Sequence, residues 1–125
     1  MKSGIYAIIC REEWVIYIGS AENIPTRWTQ HKVEFRKGGH VSQKMQKAWN
    51  RQGEEGIEFV VLEYVCLHEI LRVEMLNILA ARSIEHLTVS NQNKSWSKPI
   101  KVSGKPVTSR VYPIEALFKS ELLTA

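Results

Sequence analysis

The sequence contains no aspartate, so all thirteen of its acidic residues are glutamate. A cluster of several carboxylates around two metal ions is therefore not expected, and a single hard cation would have to be met by a Glu. Cysteine is almost absent too. Cys10 and Cys66 show no paired metal spacing, and although Cys66 and His68 stand close in sequence, nothing nearby completes four ligands. Two such cysteines predict buried free thiols and exclude a disulfide scaffold. No stretch approaches the roughly 20 apolar residues of a membrane span, and the first apolar run, Ile5 to Cys10, is too short for a signal peptide. A soluble, cytoplasmic protein without a membrane partner is the expectation. The 125 residues, 44% of them hydrophobic, suffice for one core and are too few for two ordinary domains.

What the chain does have is charge unevenly placed. Its formal excess is +4. Between residues 26 and 51, Arg27, Lys32, Arg36, Lys37, Lys44, Lys47 and Arg51 face Glu34 alone, a net of +6 from seven against one. Between residues 54 and 87, seven Glu face Arg72 and Arg82, a net of −5. From Thr88 onward six basic residues face two acidic ones, while the first 87 residues balance at eleven of each sign. The basic stretch is suited to a polyanion, with Lys32, Arg36, Lys37, Lys44, Lys47 and Arg51 as candidate nucleic-acid contacts. The basic tail, with Trp96, three prolines and a hairpin-like 101–105 stretch, reads either as a DNA-contacting extension or as a stub that packs back on the domain.

Periodicity and punctuation give the elements. The runs 4–10 and 14–19 are rich in Ile, Val and Tyr and are separated by Arg11-Glu12-Glu13, which predicts a β-hairpin that places Tyr6 roughly opposite Tyr17 or Gly19. Asn23 and Pro25 open a predicted helix over 25–37, on which Arg27 and His31, four residues apart, share a face. A helix over 42–52 carries Met45, Ala48, Trp49 and Gln52 as a core stripe; a strand over 57–65 and a helix over 69–86 follow. The order β-β-α-α-β-α predicts an α+β fold, a small three-stranded, mainly antiparallel sheet flanked by helices.

On the last helix Glu74 stands among Ile70, Leu71 and Ile78, so a carboxylate falls on the apolar face, where an ionised group needs a cation or donor. Glu85, eleven residues on, returns to within about 20° of the same direction at 100° per residue. Of the two, Glu74 is the better candidate for a metal ligand, since its apolar neighbours turn it towards the sheet whereas Glu85 lies beside His86 at the helix end, and the alternative for Glu74 is a side chain at the edge of the stripe that reaches solvent along its own stem.

The tripeptides Gly4-Ile5-Tyr6 and Tyr17-Ile18-Gly19, followed by Arg27-x-x-x-His31, then His40, then Glu74, resemble the GIY-YIG nuclease family over residues 4 to about 91. Two departures are Ala21, where the family usually has Ser or Thr, and Asn77, where an aromatic is usual. The resemblance implies three antiparallel strands flanked by helices, a nuclease domain over 1–93 and an extension over 94–125. It also implies that Asn91, or else Asn93, is an active-site amide.

By the same resemblance the chain would be a DNA endonuclease acting on double-stranded or branched DNA with one Mg²⁺ or Mn²⁺ held by Glu74. Tyr6 would be the general base, its phenol lowered from about 10 by nearby positive charge, to which His31 and the metal contribute. Arg27 would neutralise the phosphate in the transition state, and Tyr17 and His40 would orient phosphate oxygens or water. A 5′ phosphate and a 3′ hydroxyl would result. Homing, restriction and repair or recombination nucleases all carry this domain, and the absence of a large recognition domain favours the homing type. A catalytically idle DNA-binding module and a general basic or RNA-binding protein are the rival readings.

Overall fold

The computed structural model describes residues 2–91, 108–111, 114 and 117. Strands β1 (Gly4–Cys10) and β2 (Val15–Ala21) form the expected hairpin, closed by an Arg11 carbonyl that accepts from the Trp14 N–H at 3.3 Å while Trp14 takes a left-handed φ of 51°. Then come α1 (Ile24–Lys37), α2 (Gln43–Gln52), β3 (Glu58–Val65), α3 (Ile70–Arg82) and the short strands β4 (Thr88–Val89) and β5 (Thr108–Arg110). The spatial order is β4-β2-β1-β3-β5, with the predicted antiparallel trio β2-β1-β3 at its centre. Two edge strands extend the expected sheet. β4 runs parallel to β2, which makes the sheet mixed, and β5 runs antiparallel to β3.

β1 is buried along its whole length, as a central strand covered on both faces must be. Ile5, Ala7 and Ile9 point to one layer with Ile16, Ile18, Leu62 and, from α3, Val73, Ile78 and Ala81. Tyr6, Ile8 and Cys10 point to the other, where α1 and α2 supply Phe35, Met45, Ala48 and Trp49. The stripe on α2 differs at one place from its expected membership, since Gln46 is buried and Gln52 is exposed. Cys10 and Cys66 are free thiols.

Helix boundaries follow their caps. The Asn23 side chain accepts from the Thr26 N–H at 3.2 Å, Pro25 sits in the first turn, and Gly38 ends α1 with a left-handed φ of 78°. Ser42 caps α2 through its hydroxyl on the Met45 N–H, 3.2 Å away. α3 stops four residues short of the expected end. Ser83 caps it, and Glu85 and His86 follow in a turn, His86 at φ 68°.

Part of the 94–125 segment is built into the domain: β5 pairs with β3, and Ile114 and Leu117 are buried in the layer under α3. Arg11 also donates to the Leu117 carbonyl. Asn93, Trp96, the 101–105 stretch and Phe118 lie outside the described residues. Among the described residues no helix is long and apolar enough to cross a membrane.

Candidate active site

The two motif glycines are required by close approach, because neither sits in a left-handed conformation. A Cβ on Gly4 would stand 2.2 Å from the Glu63 carbonyl oxygen, beside the register shift where β1 crosses β3 between Ile5 and Tyr6. Gly19 is the residue paired with Tyr6, and a Cβ there would lie 2.4 Å from the Tyr6 hydroxyl. The Tyr6 ring therefore lies flat across the space that a side chain on β2 would fill. Tyr17 pairs with Ile8 on the same face, so both phenols reach one surface as the hairpin predicted.

Helix α1 lays its functional residues over that surface. Tyr6 Oη is 2.5 Å from His31 Nε2, His31 Nδ1 is 2.7 Å from His40 Nε2, and His40 Nδ1 accepts from the Ser42 backbone N–H at 3.0 Å. Tyr17 packs edge-on against both imidazoles, with ring centroids 5.6 Å from His31 and 5.5 Å from His40. The His40 ring stacks on Phe35 at 3.9 Å, and Phe35 stacks on Trp49. Gln46 completes the support: its Oε1 accepts from the His40 N–H at 3.0 Å, and its Nε2 donates to the Phe35 carbonyl at 3.1 Å. Ser42 and Gln46 carry no motif signal. The sequence hint was only a polar Gln46 beside the apolar positions 45, 48 and 49.

Burial dominates the electrostatics and reverses one expectation. The Tyr6 phenol is pushed well above its ordinary value, first by burial and then by Tyr17, with Arg27 opposing. Tyr17 is raised by burial in the same way. His31 is pushed down to about 3 by burial, then by Arg27 and His40, and His40 is lowered chiefly by burial. His31 is thus a neutral imidazole with no positive charge to lend the phenol. Arg27 is the nearby cation; its guanidinium also donates to Gln30 at 3.0 Å and lies 3.7 Å from Glu34.

Glu74 is half-buried and its carboxyl is raised by burial, with a hydrogen bond from Ser20 opposing. Its field raises both Tyr6 and Tyr17, which places it electrostatically with the phenols. The reason given for its burial needs one correction: Ile70 and Ile78 pack into the core, but Leu71 is 61% exposed. Glu85 leaves the contest. It lies past the end of α3 with its side chain 88% exposed beside His86. Asn77, the departure on α3, is buried and donates to the Val73 carbonyl.

Asn91 is bonded to the backbone of β2. Its Oδ1 accepts from the Ile18 N–H at 2.9 Å and its Nδ2 donates to the Ile18 carbonyl at 2.6 Å, so both amide groups prolong the β4–β2 ladder. Its place is to hold the Tyr17-Ile18-Gly19 strand. Two of the candidate DNA contacts are paired with carboxylates: Arg36 with Glu54 at 2.6 Å, and Arg51 with Glu13. Lys32 lies 5.2 Å from the Phe59 ring centre, and Lys37, Lys44 and Lys47 are exposed.

Among the described residues two donor sets are candidates for a metal. His31, Glu34 and His40 have ligand atoms within 4.8 Å of one another. His40 is already engaged there, since a neutral imidazole that accepts from Ser42 at Nδ1 carries its proton on Nε2 and has no lone pair left for an ion, and both His31 nitrogens lie within hydrogen-bond distance of other groups. Glu74 suits a hard divalent cation better, being a single oxygen donor whose remaining ligands would be waters and substrate phosphate.

Residues 2–72 match the GIY-YIG catalytic domain. The chain is 36% identical over 77 residues to intron-associated endonuclease 1 of enterobacteria phage T4, an alignment that spans 62% of this chain and 31% of that protein. The chain thus corresponds to under a third of that relative's length. Among solved structures it is similar to the catalytic domain of homing endonuclease I-TevI, with a TM-score of 0.63, 29% identity, and coverage of 73% of this chain and 100% of that one. A mutant of the catalytic domain of intron endonuclease I-TevI gives a TM-score of 0.60 at 31% identity, covering 70% and 92% of the two chains.

Proposed function

This chain belongs to the GIY-YIG catalytic-domain family, and from that premise we propose that it is a metal-dependent DNA endonuclease of the homing type. The observation that carries the reading is the Tyr6 hydroxyl, laid across Gly19 and hydrogen-bonded to His31 beside Arg27. Hydrolysis of a phosphodiester needs a proton acceptor for water, positive charge around the transferring phosphorus, and help for the leaving oxygen. Tyr6 Oη takes one proton as the water oxygen bonds to phosphorus and the bond to the 3′ oxygen breaks, and the departing 3′ oxygen takes a proton from solvent, leaving a 5′ phosphate and a 3′ hydroxyl. Burial keeps Tyr6 a phenol in the free protein, so it becomes a base only once its own proton has passed to solvent water. Arg27 favours that phenolate and then neutralises the phosphate. Tyr17, packed edge-on against His31, orients a phosphate oxygen, while His40 acts by holding His31. Glu74 would hold one Mg²⁺ or Mn²⁺, and the bound ion would supply charge at the scissile phosphate and the leaving oxygen.

Lys32, Lys37, Lys44 and Lys47 provide the DNA-facing charge of the +6 stretch, and Arg36 and Arg51 join it where phosphate displaces their exposed carboxylate partners. A supercoiled-plasmid nicking assay with and without Mg²⁺ tests the proposal. Nicking that needs the divalent ion and disappears with Tyr6→Phe supports it. DNA retardation without nicking by wild-type protein would make the chain an idle binding module or a general basic protein, and neither retardation nor nicking would favour the RNA-binding reading. Restriction and repair nucleases of the same family would be separated from the homing type by their preference for a methylation-sensitive or a branched substrate.

A further inference from the structure

We infer that the Ser42 backbone N–H sets the direction of the His40–His31–Tyr6 chain, so that Tyr6 is the acceptor at its end and Ser42 and Gln46 are positioning residues for catalysis. The inference deepens the nuclease reading and rests on it for its catalytic consequence. Its starting point is that a backbone N–H can only donate, whereas a neutral imidazole has one N–H and one lone pair. Ser42 N–H points at His40 Nδ1 from 3.0 Å, so the lone pair is at Nδ1 and the His40 proton is on Nε2. That proton is donated across 2.7 Å to His31 Nδ1, which in turn places the His31 proton on Nε2. Nε2–H then donates across 2.5 Å to the Tyr6 oxygen.

The opposite direction fails at the anchor. If Tyr6 donated to His31 Nε2, His31 would carry its proton on Nδ1, His40 would accept at Nε2, and His40 Nδ1–H would face Ser42 N–H, donor against donor. An imidazolium at His31 fails in the same way, because it too presents Nδ1–H to His40. The anchor itself is held firmly. Ser42 is the N-cap of α2, its carbonyl accepts from the Gln46 N–H at 2.9 Å, and the Gln46 side chain ties the His40 N–H to the Phe35 carbonyl. Stacking on Phe35 fixes the His40 ring plane.

Two consequences follow for the chemistry. His31 cannot be the group that deprotonates Tyr6, since the nitrogen facing the phenol already bears a hydrogen. The Tyr6 hydrogen therefore points away from His31, and a phenolate formed there receives a hydrogen bond in place, which stabilises it without any reorganisation.

The test is a long-range ¹H–¹⁵N correlation spectrum of the imidazoles in the ¹⁵N-labelled full chain between pH 5 and 8. His31 and His40 should both show the neutral Nε2–H tautomer throughout, and an Nδ1–H tautomer or an imidazolium at either would overturn the inference. In His40→Phe, which keeps a ring stacked on Phe35 but deletes the donor, His31 should populate both tautomers and nicking should fall at least tenfold. A His31 signature unchanged in that variant would also overturn it. If His40→Phe does not fold, the wild-type spectra decide alone. Expected tautomers in a protein that fails to nick would leave the relay standing and remove the nuclease reading, so the two fail separately.

Discussion

Gly19→Ala adds one methyl group, and the structure says where it goes. Its Cβ would stand 2.4 Å from Tyr6 Oη, 2.5 Å from Cζ and 2.9 Å from Cε2. Carbon contacts are comfortable at about 3.5 to 4.0 Å, so the ring must retreat by about 1 Å. It has little room, being 1% exposed and packed edge-on against Trp28 and His31. Overpacking of this kind costs about 1–3 kcal/mol. A misplacement of about 1 Å at a reacting group costs about 10²-fold in rate. Single-turnover plasmid nicking should fall by that factor, with a drop of roughly 4 °C in Tm for each kcal/mol lost. Adding Tyr6→Phe removes the 2.4 Å contact but leaves Cζ at 2.5 Å, so the double variant should regain part of the stability and none of the activity. Wild-type rate and Tm in Gly19→Ala would refute the reasoning, because the sheet would then have absorbed the methyl group without moving the phenol.

Tyr6→Phe alone should abolish nicking, by 10²- to 10⁴-fold if the hydroxyl is the general base, while DNA retardation is kept; near wild-type cleavage would take Tyr6 out of the mechanism. Glu74→Gln should lose both divalent-dependent nicking and calorimetric Mn²⁺ binding, and Glu85→Gln, altering a side chain 88% exposed, should lose neither. Stability should fall in acid: with His31 at about 3 folded and 6.5 unfolded, the unfolded chain binds more protons between those values, so the contribution is whole above pH 6.5 and declines as pH drops towards 3. Between pH 6.5 and 5 that is about 1.6 kcal/mol, because the slope approaches about 1.4 kcal/mol per pH unit only once the unfolded imidazole is mostly protonated, and equal urea midpoints at both pH values, or the same acid slope in His31→Gln, would contradict it. A chain ended at residue 95 loses β5 and two buried side chains, Ile114 and Leu117, at about 1.5–3 kcal/mol each; circular dichroism melts should show a large loss, and an unchanged melt would mean those contacts carry nothing.

What the sequence made legible was what short-range chemistry decides. Apolar runs at 4–10 and 14–19 gave the hairpin, and Asn23, Pro25 and Ser42 gave the helix starts to within a residue. The end of α3 was not legible, because Ser83 to Leu87 contain no glycine or proline and Ile84 and Leu87 continue an apolar pattern while packing from a turn. β4 and β5, two and three residues long, are too short to signal themselves. The partners of Arg36 and Arg51 come from Glu54 and Glu13, 18 and 38 residues away, so the paired state of those cations existed only after folding.

The same limit explains why the placement of the candidate residues was legible and their protonation was not. Spacing brings Tyr6, Tyr17, Arg27 and His31 together whatever the environment, but the sign of a pKa shift depends on how much water the fold removes. Here the Tyr6 ring fills the space that Gly19 leaves open, and helix α1 seals it with His31, itself fully buried. A neutral imidazole and a protonated phenol are the forms that such a pocket tolerates. Arg27, partly exposed beside the phenol, pulls the phenol down while also pulling His31 down. Its charge therefore favours the phenolate and keeps the relay neutral at once. In the proposed mechanism, loss of that charge acts on the base as well as on the phosphate, which separates Arg27 from a cation that only binds DNA.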